Sequence, residues 1–165
     1  MSSLRRVGLL GGSFNPAHAG HLYISEQALK RLGLDEVWWL VSPQNPLKSE
    51  QGMADYAKRL EAAENVAARN PRIHVSDAEA RLGTRFTADT LTRLSDIQGQ
   101  HRFVWLMGAD NLADFHRWHA WQEIAALVPI AVIDRPGFTF HGATGAAAAW
   151  LAPYRVEESD APLLP

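Results

Sequence analysis

The sequence contains no cysteine. That excludes disulfides, thiolate nucleophiles and cysteine metal sites, and it suits a reducing cytoplasm. Charge of one sign is also missing: 16 Lys and Arg stand against 18 Asp and Glu, a formal net charge of -2. Such a balance gives no bulk attraction to nucleic acid or to an anionic membrane, so any affinity for phosphate must be local. Long apolar runs are absent too. Met1-Ser2-Ser3-Leu4-Arg5-Arg6 leads into a short apolar stretch broken by glycines, which reads as a first strand and as neither a signal peptide nor a membrane span. No internal repeat, interdomain linker or low-complexity tract stands out beyond the alanines at 146–149.

What is present fits one globular domain: 165 residues, 47% hydrophobic and 21% charged. Arg6 to Leu10 reads as a strand covered on both faces. A helix follows from about Ala19 to Leu32, stopped by Gly33 at the position where a left-handed residue is wanted. Glu36 to Val41 is a second strand, leading to a loop through Pro43 and Pro46 to Lys48. Ala54 to Arg69 is helical until Asn70-Pro71. Ile73 to Ser76 is a short strand, and Thr87 is a candidate N-cap for a helix through Leu94. Phe103 to Met107 is a buried strand closed by Gly108-Ala109-Asp110. Two short helices are expected between Asn111 and Val128, then a last strand at Pro129 to Ile133 and Asp134-Arg135-Pro136-Gly137. Gly142 to Leu151 is an alanine-rich helix candidate, and Pro153 to Pro165 has no strong pattern. Strands alternating with helices predict an α/β fold: a doubly wound, Rossmann-like parallel sheet with helices on both faces. Ligands bind such sheets at the carboxyl ends of the strands.

One strand end carries the strongest chemistry. Gly11-Gly12-Ser13-Phe14-Asn15-Pro16-Ala17-His18-Ala19-Gly20-His21 lies where the first strand hands over to the first helix. A helix start offers unpaired backbone N–H groups and a positive dipole end, and glycines let phosphate approach the backbone. His18 and His21, three apart on the first turn, can reach one anionic group together.

This loop resembles the signature of the HxGH nucleotidylyltransferases. The chain is similar to the bacterial nicotinate-nucleotide adenylyltransferases at five further stretches: Pro43 to Lys48, Phe86 to Leu91, Gly108 to Leu112, Phe115 to Trp121 and Asp134 to Gly137. The resemblance is colinear over roughly residues 5 to 140, and its combination of motifs is far more specific than a lone glycine loop. It implies adenylyl transfer from ATP to nicotinate mononucleotide, giving the deamido dinucleotide of NAD biosynthesis and pyrophosphate, by direct in-line attack without a covalent enzyme intermediate. His18, His21 and Lys48 are its implied catalytic residues. Gly11, Gly12, Ser13, Phe14, Gly20, Gly108, Asp110 and Arg135 are expected on the ATP side; Thr87 and Trp118 are expected on the nicotinate mononucleotide. Mg²⁺ is expected to arrive with ATP, with no metal held by the protein alone and no tightly bound cofactor. The substrates ATP and nicotinate mononucleotide are the expected partners, with neither nucleic acid nor membrane, and the choice between monomer and homo-oligomer is open.

Each residue has an alternative use. Asp110 could cap the following helix, Arg135 could serve a turn, Lys48 could be an ordinary solvated lysine, and Trp118 and Trp121 could be packing aromatics. His116 and His119 have helical metal-ligand spacing without an evident third ligand. Trp38 and Trp39, adjacent on a strand, face opposite sides and read as packing. The sequence departs from the resembled family in lacking, within its 165 residues, the Ile-Ser-x-x-x-x-Arg motif that grips ATP phosphates in its members. The expectation is a single nucleotidylyltransferase domain truncated at its C-terminus, impaired in transfer while still binding acceptor. Two other readings stay open: another HxGH adenylyltransferase, acting on nicotinamide mononucleotide or phosphopantetheine, and a nucleotide-binding module without activity. His18 speaks against the phosphopantetheine type, which carries threonine there.

Overall fold

The computed structural model describes residues 4–43, 52–97, 99–134 and 145–165. Five strands form one sheet: β1 (Arg5–Gly12), β2 (Glu36–Val41), β3 (Ile73–Ser76), β4 (His101–Gly108) and β5 (Ile130–Ile133), in the order β3-β2-β1-β4-β5. Every pairing is parallel. This is the doubly wound arrangement expected, with strand order reversing at β1 and opening a crevice between the carboxyl ends of β1 and β4.

The alternation of side chains along the strands explains the two cores. On one face Leu10, Val37, Trp39, Val41, Val104 and Leu106 pack with Ile24 and Leu29 of α1 (Ala19–Arg31) and Ala63 of α2 (Tyr56–Ala67). On the other, Val7, Leu9, Leu40, Phe103, Trp105 and Met107 pack with Leu91 of α4 (Thr87–Ile97), Leu112 of α5 (Ala109–Asp114), Ile124 of α6 (Trp121–Leu127) and Ala147 of α7 (Ala146–Leu151). Trp38 and Trp39 do face opposite sides. The Trp39 indole is fully buried, whereas Trp38 packs edge-on against His101 and Phe103.

The structure differs from the sequence reading at several local points. Strand β1 runs on through Gly11 and Gly12, because Gly12 still pairs with Val41 and accepts from the Ser42 N–H at 2.8 Å. Helix α2 begins at Tyr56 instead of Ala54, with Asp55 at its N-cap. A further helix, α3 (Ala78–Leu82), was not expected; five residues are too few to show a period. Thr87 is the first helical residue of α4 instead of its cap, since the Asp89 and Thr90 amides both bond back to the Phe86 carbonyl. The stretch after Leu151 folds as short 3-10 turns, Ala152–Tyr154 and Glu158–Leu163. It returns to the sheet: the Arg6 guanidinium donates to the Pro162 carbonyl, and Arg31 pairs with Glu158 at 3.0 Å. Among the described residues no helix is long and apolar enough to cross a membrane.

Candidate active site

Helices α1, α4 and α5 all begin at the carboxyl edge of the sheet, and the candidate residues gather at their starts. His18 is the N-cap of α1 in extended backbone. Its Nδ1 accepts from the Gly20 N–H at 3.0 Å, while Nδ1 of His21 accepts from the His18 N–H at 3.1 Å. Two imidazoles thus form a reciprocal capping box, the arrangement usually built from a hydroxyl and a carboxylate. The pattern assigns the protons: an accepting Nδ1 carries none, so each neutral ring bears its hydrogen on Nε2. The ring centroids lie 4.1 Å apart, with His18 exposed and His21 half-buried.

Beneath them is a rigid floor. Phe14 adopts φ of 48°, an uncommon left-handed conformation for a bulky residue, and its ring is buried. That ring lies 4.4 Å from His21 and stacks on Trp39 at 5.2 Å. The Trp39 indole donates to Ser25 Oγ at 2.7 Å, and Ser25 donates to the His21 carbonyl at 2.8 Å. Ser13 and Phe14, both expected on the nucleotide side, are buried, and the Phe14 ring lies beneath His21.

The glycines matter where backbone comes close. A Cβ on Gly11 would stand 2.6 Å from Cη2 of Trp105, and one on Gly108 would stand 2.5 Å from Oδ1 of Asp110. Asp110 lies exposed in the first turn of α5 with its carboxylate folded back over Gly108. The cap position belongs to Gly108, so Asp110 is not the N-cap.

The second group sits on the other face. Phe86, next to Thr87, stacks on His119 at 4.3 Å, tying the start of α4 to the segment that carries Trp118. Trp118 is half-buried and meets Trp105 and Phe115 edge-on, at 6.1 and 5.3 Å. The Trp105 indole N–H is buried without a hydrogen-bond partner. An open cleft of about 350 Å³ flanks the turn between α3 and α4, lined by Thr84, Arg85, Phe86 and Arg93 among others. It includes neither the histidine pair nor Trp118. Lys48 and Arg135 lie outside the described residues.

Two buried ionisable groups escaped the sequence reading. Arg59 is 3% exposed and donates to four backbone carbonyls. A signal was present: Arg59, Ala63 and Ala67 are spaced by four along α2, so the arginine occupies a core-facing position. Glu79 on α3 is 5% exposed. Burial pushes its carboxyl up to about 7, partly offset by hydrogen bonds from Ser42 and Thr90.

The cytidylyltransferase-like family model matches residues 9–160. A protein of Parvibaculum lavamentivorans named "Probable nicotinate-nucleotide adenylyltransferase" is 58% identical over 97% of this chain and 79% of its own length. One of the same name from Erythrobacter litoralis is 55% identical over 97% of this chain and 73% of its own. Among solved structures, Plasmodium falciparum nicotinic acid mononucleotide adenylyltransferase complexed with NaAD superposes with a TM-score of 0.67, covering 91% of this chain and 96% of that one. At 13% identity that likeness speaks for the fold.

Proposed function

The chain belongs to the cytidylyltransferase-like family and, within it, to the nicotinate-nucleotide adenylyltransferases, and from that premise we propose that it joins ATP and nicotinate mononucleotide into nicotinate adenine dinucleotide. A phosphate oxygen of the mononucleotide attacks the α-phosphorus of ATP. The bond from that phosphorus to the bridging oxygen breaks, and pyrophosphate leaves with the electron pair. Attacker and leaving group are both anions, so the protein's work is positioning and charge stabilisation, with no protein nucleophile required. The observation that carries this reading is the paired capping box of His18 and His21, which turns both Nδ1 atoms to the backbone and sets the two imidazoles side by side at a helix start.

In this reading His18 and His21 hold the ATP phosphates and stabilise charge growing on pyrophosphate. Gly11, Gly12, Gly20 and Gly108 admit the nucleotide close to the backbone, with Ser13 and Phe14 shaping the loop beneath it. Asp110 meets a ribose or a phosphate-bound metal. Lys48 and Arg135 are proposed as further cations on the nucleotide side. Trp118 stacks on the nicotinate ring, and the start of α4 at Thr87 receives its carboxylate. Mg²⁺ accompanying ATP neutralises phosphate charge. No cluster of three or more His, Asp or Glu side chains able to hold a metal occurs among the described residues. The sheet and its two helical layers act as one nucleotidylyltransferase domain in a reducing cytoplasm.

The test is product balance. With ATP, Mg²⁺ and nicotinate mononucleotide, dinucleotide and pyrophosphate should form in equal amounts. Without acceptor, labelled pyrophosphate should not exchange into ATP, since no adenylyl-enzyme forms. Exchange without acceptor would contradict the direct transfer.

A further inference from the structure

A buried arginine usually faces a carboxylate. Among the described residues no acidic side chain pairs with Arg59, and its guanidinium is spent on main-chain oxygens. Nη1 donates to the Ser13 carbonyl and to the Ser42 carbonyl, each at 2.7 Å. Nη2 donates to the Pro43 carbonyl at 2.9 Å and Nε to the Ala54 carbonyl at 2.9 Å. The underside is closed by Tyr56, whose ring lies 5.3 Å from the guanidinium carbon and whose hydroxyl donates to the Val41 carbonyl at 3.0 Å.

Where these oxygens lie is informative. The β1–β2 ladder makes its last bond from the Ser42 N–H to the Gly12 carbonyl. One residue further on, both chains leave the sheet. Their next carbonyls, Ser13 and Ser42, converge on a single nitrogen of Arg59, so one guanidinium fixes the separation of the two chains beyond the ladder. Short charge-assisted bonds in a fork of fixed shape suit that task, and a lysine could not span the same four acceptors. Asn15 fastens the loop from its other side, donating to the Gly52 carbonyl and accepting from the Ala54 N–H, both at 3.1 Å.

We propose that Arg59 is a positioning residue for the adenylyl-transfer reaction: it clasps the turn carrying His18 and His21 to the end of β2, and so sets where the two imidazoles stand against the nucleotide phosphates. This rests on the transfer reading above. Its contacts lie on the α1 side of the sheet, away from Trp118 and Thr87, so the effect falls on kcat and on the nucleotide, not on the acceptor.

The experiment compares wild type, Arg59→Ala and Arg59→Lys in steady-state pyrophosphate release, and in calorimetric binding of inorganic pyrophosphate, which needs no acceptor. Misplacing the histidines by about an ångström is expected to lower kcat of Arg59→Ala by roughly 10²-fold, with KM for nicotinate mononucleotide within about threefold of wild type. Arg59→Lys, which keeps charge and some donors, should recover part of that loss, and it carries the test alone if Arg59→Ala does not fold. Pyrophosphate affinity should fall in parallel. A folded variant with wild-type kcat and wild-type pyrophosphate affinity overturns the proposal, as does a loss confined to acceptor KM. Wild-type protein that binds pyrophosphate without transferring adenylate counts against the transfer reading only, and the binding comparison then decides the role of Arg59.

Discussion

His18 and His21 cap α1, and the proposed function gives them a second task, meeting phosphate; substitution can separate the two. Asparagine at position 18 keeps an acceptor for the Gly20 N–H, so His18→Asn should melt close to wild type, yet losing Nε2–H should lower kcat by roughly 10²- to 10³-fold. His21→Ala removes half of the capping box as well, and should lose about 1 kcal/mol of stability in addition to turnover. Thermal melts set beside pyrophosphate-release rates check both; turnover near wild type would remove the imidazoles from the mechanism. Glu79 makes a prediction about pH. Its folded carboxyl titrates near 7, above its ordinary value of 4.5, so between these values the folded chain holds a proton that the unfolded chain has released. Stability from this group is therefore full below about pH 4.5 and is lost as pH rises through 7, by roughly 3 kcal/mol. Glu79→Gln should match wild type in denaturant unfolding at pH 4.5 and exceed it at pH 8. An equal gap at both pH values would show that the carboxyl ionises normally.

At the scale of elements, the glycine loop depends on the strand that delivers it. Gly11 lies against the six-membered ring of Trp105, and a methyl group there has no room without moving a fully buried indole. Gly11→Ala should cost about 1–3 kcal/mol by overpacking, read as a lower denaturant midpoint at unchanged slope. An unchanged midpoint would mean that the indole yields freely. Elements with a clear pattern were legible in the sequence: β2 and β3 have the expected bounds because aromatic and β-branched residues run between turn signals, and α1 stops at Arg31, with Leu32 as its C-cap followed by Gly33, whose φ of 62° needs glycine. Helix α3 was not, nor were the 3-10 turns near the C-terminus, since stretches this short leave no periodicity to read.

For the whole molecule, alternating strands and helices were enough to foresee a parallel doubly wound sheet, and the strand order puts the histidine loop beside the β1–β4 crevice. The site was legible only in part. Residues on one short loop, such as His18 and His21, share local geometry that spacing reveals. Arg59 and Glu79 act on partners that no local pattern encodes: Arg59 on carbonyls 5 to 46 positions away, Glu79 on the hydroxyls of Ser42 and Thr90. The central claim, that a phosphate-handling histidine pair on one side serves a nicotinate pocket on the other, is tested most directly by acceptor choice. Pyrophosphate release from ATP and Mg²⁺ would be measured with nicotinate mononucleotide, with its amide and with phosphopantetheine, reading the ratios of kcat/KM instead of the absolute rate. The account predicts a preference of roughly tenfold or more for the acid over both; equal use of acid and amide would contradict it.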